Sequence, residues 1–291
     1  MSHPRPFRFG LLGENVRSAK ELVDTAHRAE EAGFATFLLR DHFIAEPFGH
    51  QLAPLAALAT VAAATTRLRV GTMVLCNDYR HPVLLAKEVA TLDLLSDGRF
   101  ELGLGAGFSR PEYEAAGLPY DPAGVRVDRL AEALQVLKGL FGATPCTFAG
   151  RFYTVTHLDA FPKPVQQPHP PLLVGAGGRR MLAIAAREAN IIGLQTASLG
   201  TGRITSDASG LLAETIAEKI GWVRQEAGAR FDQIEFSILA SRRCRRGPPG
   251  GGRAARARAW LGWAAAGAGV RDALDFHRVG GPDRRRYAGT S

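Results

Sequence analysis

Cysteine is nearly missing from this chain. The three present (Cys76, Cys146 and Cys244) are scattered over 291 residues, and none sits in a CxxC or Cys/His run. Neither a disulfide framework nor a metal site is expected from that pattern. Long apolar runs are missing too: none approaches the ~20 residues that a membrane-spanning helix needs. The opening MSHPRPFRFG lacks an apolar signal core, which points to a cytoplasmic protein with no membrane partner. No GxxxxGK[ST], GxSxG or HExxH occurs, so the short signatures of P-loop, nucleophile-elbow and zinc-protease chemistry are absent.

Charge of one sign is also scarce over most of the chain. The net +8 suggests nucleic acid at first sight, but residues 242–291 alone hold 12 arginines, no lysine and three acids (Asp272, Asp275, Asp283). The remaining 1–241 carry 24 basic and 25 acidic residues, a nearly neutral body that gives no reason to expect a nucleic-acid partner.

What is there is an alternation of short β-branched runs with amphipathic helices. Residues 67–107, RLRVGTMVLCNDYRHPVLLAKEVATLDLLSDGRFELGLGAG, read as strand, polar loop, helix, turn, strand. Both strands are mostly apolar runs, as in a parallel sheet covered on both faces. Around this βαβ unit the chain offers strands at Phe7–Leu12, Phe34–Leu39, Pro171–Val174, Asn190–Leu194 and Ile234–Leu239. Helices are expected over Ser18–Ala32, Leu52–Thr65, Val125–Phe141, Arg179–Ala189 and Leu211–Ala227. Ser18 with Glu21 three residues on has capping-box spacing, and Gly33 suits the helix end. The alanine-rich Leu52–Thr65 suits close packing on a sheet or against a second subunit. Residues 142–170, with five prolines, read as an inserted excursion with room for a hairpin.

Seven such strands alternating with helices favour an α/β (β/α)8 TIM barrel over a doubly wound sheet. The eighth unit is missing from this pattern. From Arg242 the chain turns Arg/Gly/Ala/Pro-rich, with two valines and no isoleucine, so an eighth strand is hard to place. The domain is therefore drawn at 1–241. For 242–291 a disordered basic tail and a shifted reading frame both stand as readings.

Polar and glycine-rich residues gather after strand ends, the edge where ligands bind in parallel α/β folds. Asp41-His42 ends the second strand; an acid beside an imidazole can hold and move a proton, and can equally be a surface pair or helix cap. Thr72, Met73 and Val74 end the third, where core packing is the simpler reading. Asn77, Tyr79 and Arg80 follow in a loop. Gly103-Leu104-Gly105-Ala106-Gly107 ends the fourth; small residues there let a flat ring approach the backbone. Gly175-Ala176-Gly177-Gly178-Arg179 joins a strand to a helix, as a phosphate site at the helix N-terminus or an ordinary tight turn.

In order and spacing, several segments resemble the luciferase-like monooxygenase superfamily, and within it the deazaflavin-dependent oxidoreductases of actinobacteria. They are Asp41-His42-Phe43, RLRVGTMVL with Arg80-His81-Pro82, LAKEVATLDLLSDGRFELGLGAGF with the spaced Glu112, RVDRLAEALQVLKGLF, FPKPVQQPHPPLLVGAGG and REANIIGL. The resemblance implies a barrel with a deazaflavin coenzyme F420, or alternatively FMN, at its mouth. It implies that Asp41 and His42 lie beside the reactive face of the ring, with His42 handling a proton. It implies a strand-three bulge at Thr72-Met73-Val74 behind the ring, often with a non-proline cis peptide. Gly105, Ala106 and Gly107 would pass beside the ring, with Asn77 near it. Gly175, Ala176, Gly177, Gly178 and Arg179 would hold the cofactor phosphate.

One departure stands out. Sugar-phosphate dehydrogenases of the superfamily place a catalytic glutamate where this chain has Phe108, which suggests a more apolar pocket lined by Phe43 and Phe108. Three functions follow as expectations: a deazaflavin-dependent oxidoreductase acting on a small organic molecule; an FMN-dependent monooxygenase; or a truncated, non-catalytic flavin-binding protein. A homodimer is the partner that family habit suggests.

Overall fold

A computed structural model describes residues 7–195, 202, 210, 212–241 and 258–264, the last stretch as backbone only. The strands are β1 (Arg8–Leu12), β2 (Thr36–Leu39), β3 (Arg69–Thr72), β4 (Leu75–Cys76), β5 (Phe100–Gly105), the hairpin pair β6 (Cys146–Ala149) and β7 (Thr154–Leu158), β8 (Leu172–Ala176), β9 (Ile191–Leu194), β10 (Glu235–Ser241) and β11 (Arg258–Ala264). The helices are α1 (Ala19–Glu31), α2 (Pro54–Ala64), α3 (Pro82–Leu95), α4 (Arg110–Ala115), α5 (Ala123–Phe141), α6 (Arg179–Glu188) and α7 (Ala213–Ala227).

Parallel pairings run β1–β2–β3, continue from β3 and β4 to β5, and then pass through β8 and β9 to β10. The eighth strand that the sequence makes hard to place is present, though among the described residues it does not complete an eighth β/α unit. β11, from within the Arg-rich segment, lies antiparallel between β10 and β1, so the ring of pairings closes. Its sequence RAWLGWA lacks isoleucine and valine, but tryptophan is itself a strong strand former. The other residues of 242–291 lie outside the described ones. The excursion at 142–170 does hold a hairpin, β6–β7.

Alternation along the strands sorts the side chains. Phe37 and Leu39 of β2 join the large core between sheet and helices, while Leu38 points into the ring. Leu12, Leu38, Leu173 and Ile191 form that inner plug, and Met73 and Val74 pack on it. Beneath the plug, at the N-terminal ends of the strands, Glu101 accepts from Arg8 (2.8 Å) and Arg69 (2.6 Å), and Arg8 also bonds Glu235 (2.9 Å). Asp93, fully buried at the end of α3, accepts from the backbone and side chain of Gln166 (2.9 and 2.6 Å) and ties the excursion down. Arg99 donates to the carbonyls of Ala62 and Leu68, closing the end of α2. Ser18 caps α1 as its spacing predicts, accepting from the Glu21 N–H at 3.1 Å. Among the described residues no helix is long and apolar enough to cross a membrane.

Candidate active site

The third strand breaks in the middle. β3 pairs with β5 as Gly71 opposite Glu101, but β4 resumes with Leu75 opposite Leu104. Three residues (72–74) thus face two (102–103), which is a β-bulge. The Thr72 hydroxyl repairs the ladder: it donates to the Gly103 carbonyl (2.9 Å) and accepts from the Gly103 N–H (2.8 Å). No side chain fits at Gly103, because a Cβ would overlap the Thr72 carbonyl. The Met73–Val74 peptide in the bulge is cis. Val74 lies across the glycine positions of two neighbouring strands, its Cγ2 2.8 Å from where a Gly105 Cβ would be and 3.5 Å from that of Gly175. The result is a smooth apolar floor at the C-terminal end of the ring.

β2 ends at Leu39, and the next residues diverge. The Asp41 carboxylate turns to Arg80, which binds it at 2.6 and 3.1 Å, and to the Cys76 N–H at 3.1 Å. His42 turns the other way. Its Nδ1 lies 2.9 Å from Glu112, a residue of α4 that is 1% exposed. Glu112 also accepts from the Phe43 and Ile44 N–H groups (2.7 and 3.3 Å). Burial raises the Glu112 pKa, but the bond and charge of His42 with the two backbone donors more than offset this and hold it below the usual carboxylate range. The acid next to His42 in space is therefore Glu112, not its sequence neighbour Asp41.

An ionised Glu112 can only accept, so Nδ1 carries hydrogen and Nε2 is the ring nitrogen left to act. The Phe48 ring stacks on the imidazole with centroids 4.3 Å apart, and Phe108 meets it edge-on at 6.0 Å. Phe43 does not face His42: it is 57% exposed and stacks on Tyr79 at 4.4 Å. Sequence reasoning missed Phe48, which sits in a loop without a motif. In the sequence Glu112 stands as an isolated acid, and its 70-residue separation from His42 hides the pair.

The remaining glycines divide. Gly107 has φ +74°, and a Cβ there would run into the Tyr113 hydroxyl, so this glycine serves the protein's own packing. The Tyr113 hydroxyl donates to Asp78 (2.8 Å), which Arg129 also binds (2.9 Å). Asn77, with Asp78, Tyr79, Arg80, Tyr113, Arg129 and Tyr153, lines a side cavity of about 320 Å³. Ala106 packs against the main core. Buried Cys76 touches the Tyr113 hydroxyl at 3.1 Å, and burial pushes its thiol up to about 12, so it is no nucleophile. At the start of α6, Gly178 is the N-cap with no side-chain cap, and the space where its Cβ would be is open. Ala176 ends β8, buried, and Gly177 lies close against Gln195. The Arg179 guanidinium stands over Trp222 at 5.9 Å, and Arg180 pairs with Asp128. No group of His, Cys, Asp and Glu able to hold a metal occurs among the described residues.

The pattern shared by luciferase-like monooxygenases matches residues 5–236. The chain belongs to that family. Among curated proteins it is similar to an F420-dependent glucose-6-phosphate dehydrogenase of Kineococcus radiotolerans, 31% identical over 81% of this chain and 68% of that one. It is 34% identical to an F420-dependent hydroxymycolic acid dehydrogenase of Mycobacterium tuberculosis, over 61% of this chain and 49% of that one. Among solved structures, monooxygenase RslO1 of Streptomyces bottropensis superposes with a TM-score of 0.65 at 25% identity, covering 77% of this chain and 68% of that one. The chain thus spans about half to two thirds of its luciferase-like relatives' lengths.

Proposed function

We propose that this chain is an oxidoreductase that uses the deazaflavin coenzyme F420 to move a hydride to or from a small, uncharged organic molecule. The observation that carries the reading is His42, held at Nδ1 by Glu112 and on its face by Phe48, at the same C-terminal end of the strands as Val74, Gly105 and Gly175. A planar ring fits against Val74, whose side chain takes the space that Cβ atoms at Gly105 and Gly175 would fill. A phosphate fits the uncapped first turn of α6 at Gly178, where backbone N–H groups and the helix dipole favour an anion. The names of the curated relatives support F420 as the ring-bearing group. When bound, it supplies the hydride chemistry. The chain's part is to orient and to handle the proton: Nε2 of His42 gives a proton to the substrate oxygen in one direction and takes it in the other, while Glu112 steadies the protonated ring.

The substrate class follows from how charge is used at this rim. Arg40 pairs with Glu14 and lies over Phe48, Arg80 is chelated by Asp41, and Arg129 is shared by Asp78 and Asp121. These three guanidiniums already have counter-charges, and Phe48 and Phe108 flank His42. This favours an apolar, uncharged substrate over a sugar phosphate. A second reading, an FMN-dependent monooxygenase, rests on the likeness to RslO1. Carbon in place of N5 makes deazaflavin slow with oxygen, so oxygen uptake separates the two. The first reading predicts turnover with F420 and none with reduced FMN and oxygen; the reverse result overturns it. A truncated, inactive protein is disfavoured by the ring that β11 closes. We also propose a homodimer through α2 and α3, whose outer side exposes Leu84 (54%) and Leu95 (61%). Light scattering on the eluted protein tests it, and a monomer at micromolar concentration contradicts it.

A further inference from the structure

The loop that carries Phe48 has no helix or strand to place it, yet Phe48 is only 9% exposed and lies parallel to the His42 ring within 21°. What fixes it comes from another loop, just after β1. The Asn15 N–H donates to the His50 carbonyl (3.1 Å), and the His50 N–H donates back to Asn15 Oδ1 (3.2 Å). The pair of bonds imitates one rung of an antiparallel ladder, made half by backbone and half by side chain. Asn15 takes φ 59° for this, a region that asparagine tolerates better than most residues. Its amide fills the notch at Gly49, which has φ +82° and where a Cβ would overlap Oδ1. From inside the turn, Gln51 donates to the Phe48 carbonyl at 3.2 Å. The residue before Asn15 completes the arrangement: Glu14 pairs with Arg40 at 3.2 Å, and the Arg40 guanidinium stands over the Phe48 ring at 4.4 Å. Arg40 and His42 both meet the Phe48 ring, and neighbouring residues of the β1 loop hold Arg40 and the turn that carries Phe48.

We propose that Asn15 is a positioning residue for the reaction. By strapping the Phe48-Gly49-His50 turn it sets the ring that locks His42, and so sets where Nε2 meets the substrate. The proposal rests on the role given to His42 above. Misplacing a catalytic group by about 1 Å can cost about 100-fold in rate.

Three variants test it, with a readout that needs no cofactor. In protein labelled at histidine ring carbons, the His42 ring protons are identified by their loss in His42→Gln. Stacking under Phe48 should hold them upfield. In Asn15→Ala they are expected to move downfield while the ring signals of His27 and His157 stay in place. Gly49→Ala should do the same, because its Cβ expels the Asn15 amide. Asn15→Asp keeps the acceptor oxygen and should restore the wild-type position. In turnover assays with F420, Asn15→Ala should lose about 10- to 100-fold in kcat with KM nearly unchanged, and Asn15→Asp should recover most of it. Unmoved His42 signals in Asn15→Ala, with only a lower melting temperature, would overturn the proposal. Signals that move as expected in a protein that turns over with neither cofactor would support the strap and overturn the proposed function.

Discussion

The two ends of the barrel bury glutamates for different ends. At the N-terminal end Glu101, 2% exposed, binds arginines that come from β1 and β3, so its bonds cross the ring and hold strands together. At the C-terminal end Glu112, 1% exposed, binds one histidine and two N–H groups of a single loop. The first arrangement resists opening of the ring. The second leaves the ring alone and aims one imidazole. The bulge at Thr72–Val74 divides them, since it ends the regular ladder between β3 and β5 and supplies the floor of the upper end.

The sharpest way to break that division is at the bulge. Gly103→Ala places a methyl group against the Thr72 carbonyl and should cost about 4 kcal/mol, read by chemical denaturation, and abolish cofactor binding. Next is Glu101→Ala, which leaves two partly buried guanidiniums short of a partner. We expect about 3 kcal/mol of lost stability with unchanged cofactor affinity in the folded protein. If affinity falls in step with stability, the two ends are not separable. Glu112→Gln should reverse the pattern: about 1–2 kcal/mol in stability, but about 100-fold in kcat.

The pH dependence sharpens the same contrast. Because the folded-state pKa of Glu112 is depressed, its stabilisation is present above the ordinary carboxylate pKa and is lost as pH falls through the lower folded value. Wild type and Glu112→Gln should therefore differ in denaturation free energy at pH 7 and converge in acid. A gap that stays constant down to the acid transition would contradict the depressed carboxylate. The smallest effect belongs to Phe48→Leu, about 1 kcal/mol in stability, with a raised KM for apolar substrates as the informative change.

Much of the framework was legible. The helix expected between the strands of residues 67–107 is α3, Pro82–Leu95, because proline fixes its start and apolar residues mark its buried face. The specific run TLDLLSDGRFELGLGAG points to the family, yet several of its polar residues work at the stable end: Asp93 anchors Gln166, Arg99 closes α2 and Glu101 ties the ring. A motif can be diagnostic without being chemical. The site was less legible, for a geometric reason. Consecutive residues leaving a strand point opposite ways, so Asp41 and His42, adjacent in sequence, find different partners. Phe48 and Asn15 carry no periodicity and meet only because two loops after different strands lie side by side. β11 hid because its strand-forming residues are tryptophans within an Arg-rich segment.

We propose that the C-terminal end, with its floor at Val74 and its imidazole at His42, takes a deazaflavin. An anaerobic titration of wild type and Gly103→Ala with F420, followed by cofactor fluorescence, tests it most directly. Saturable quenching by the wild-type protein and none by folded Gly103→Ala is expected. Folded wild-type protein that fails to saturate with F420 would contradict it.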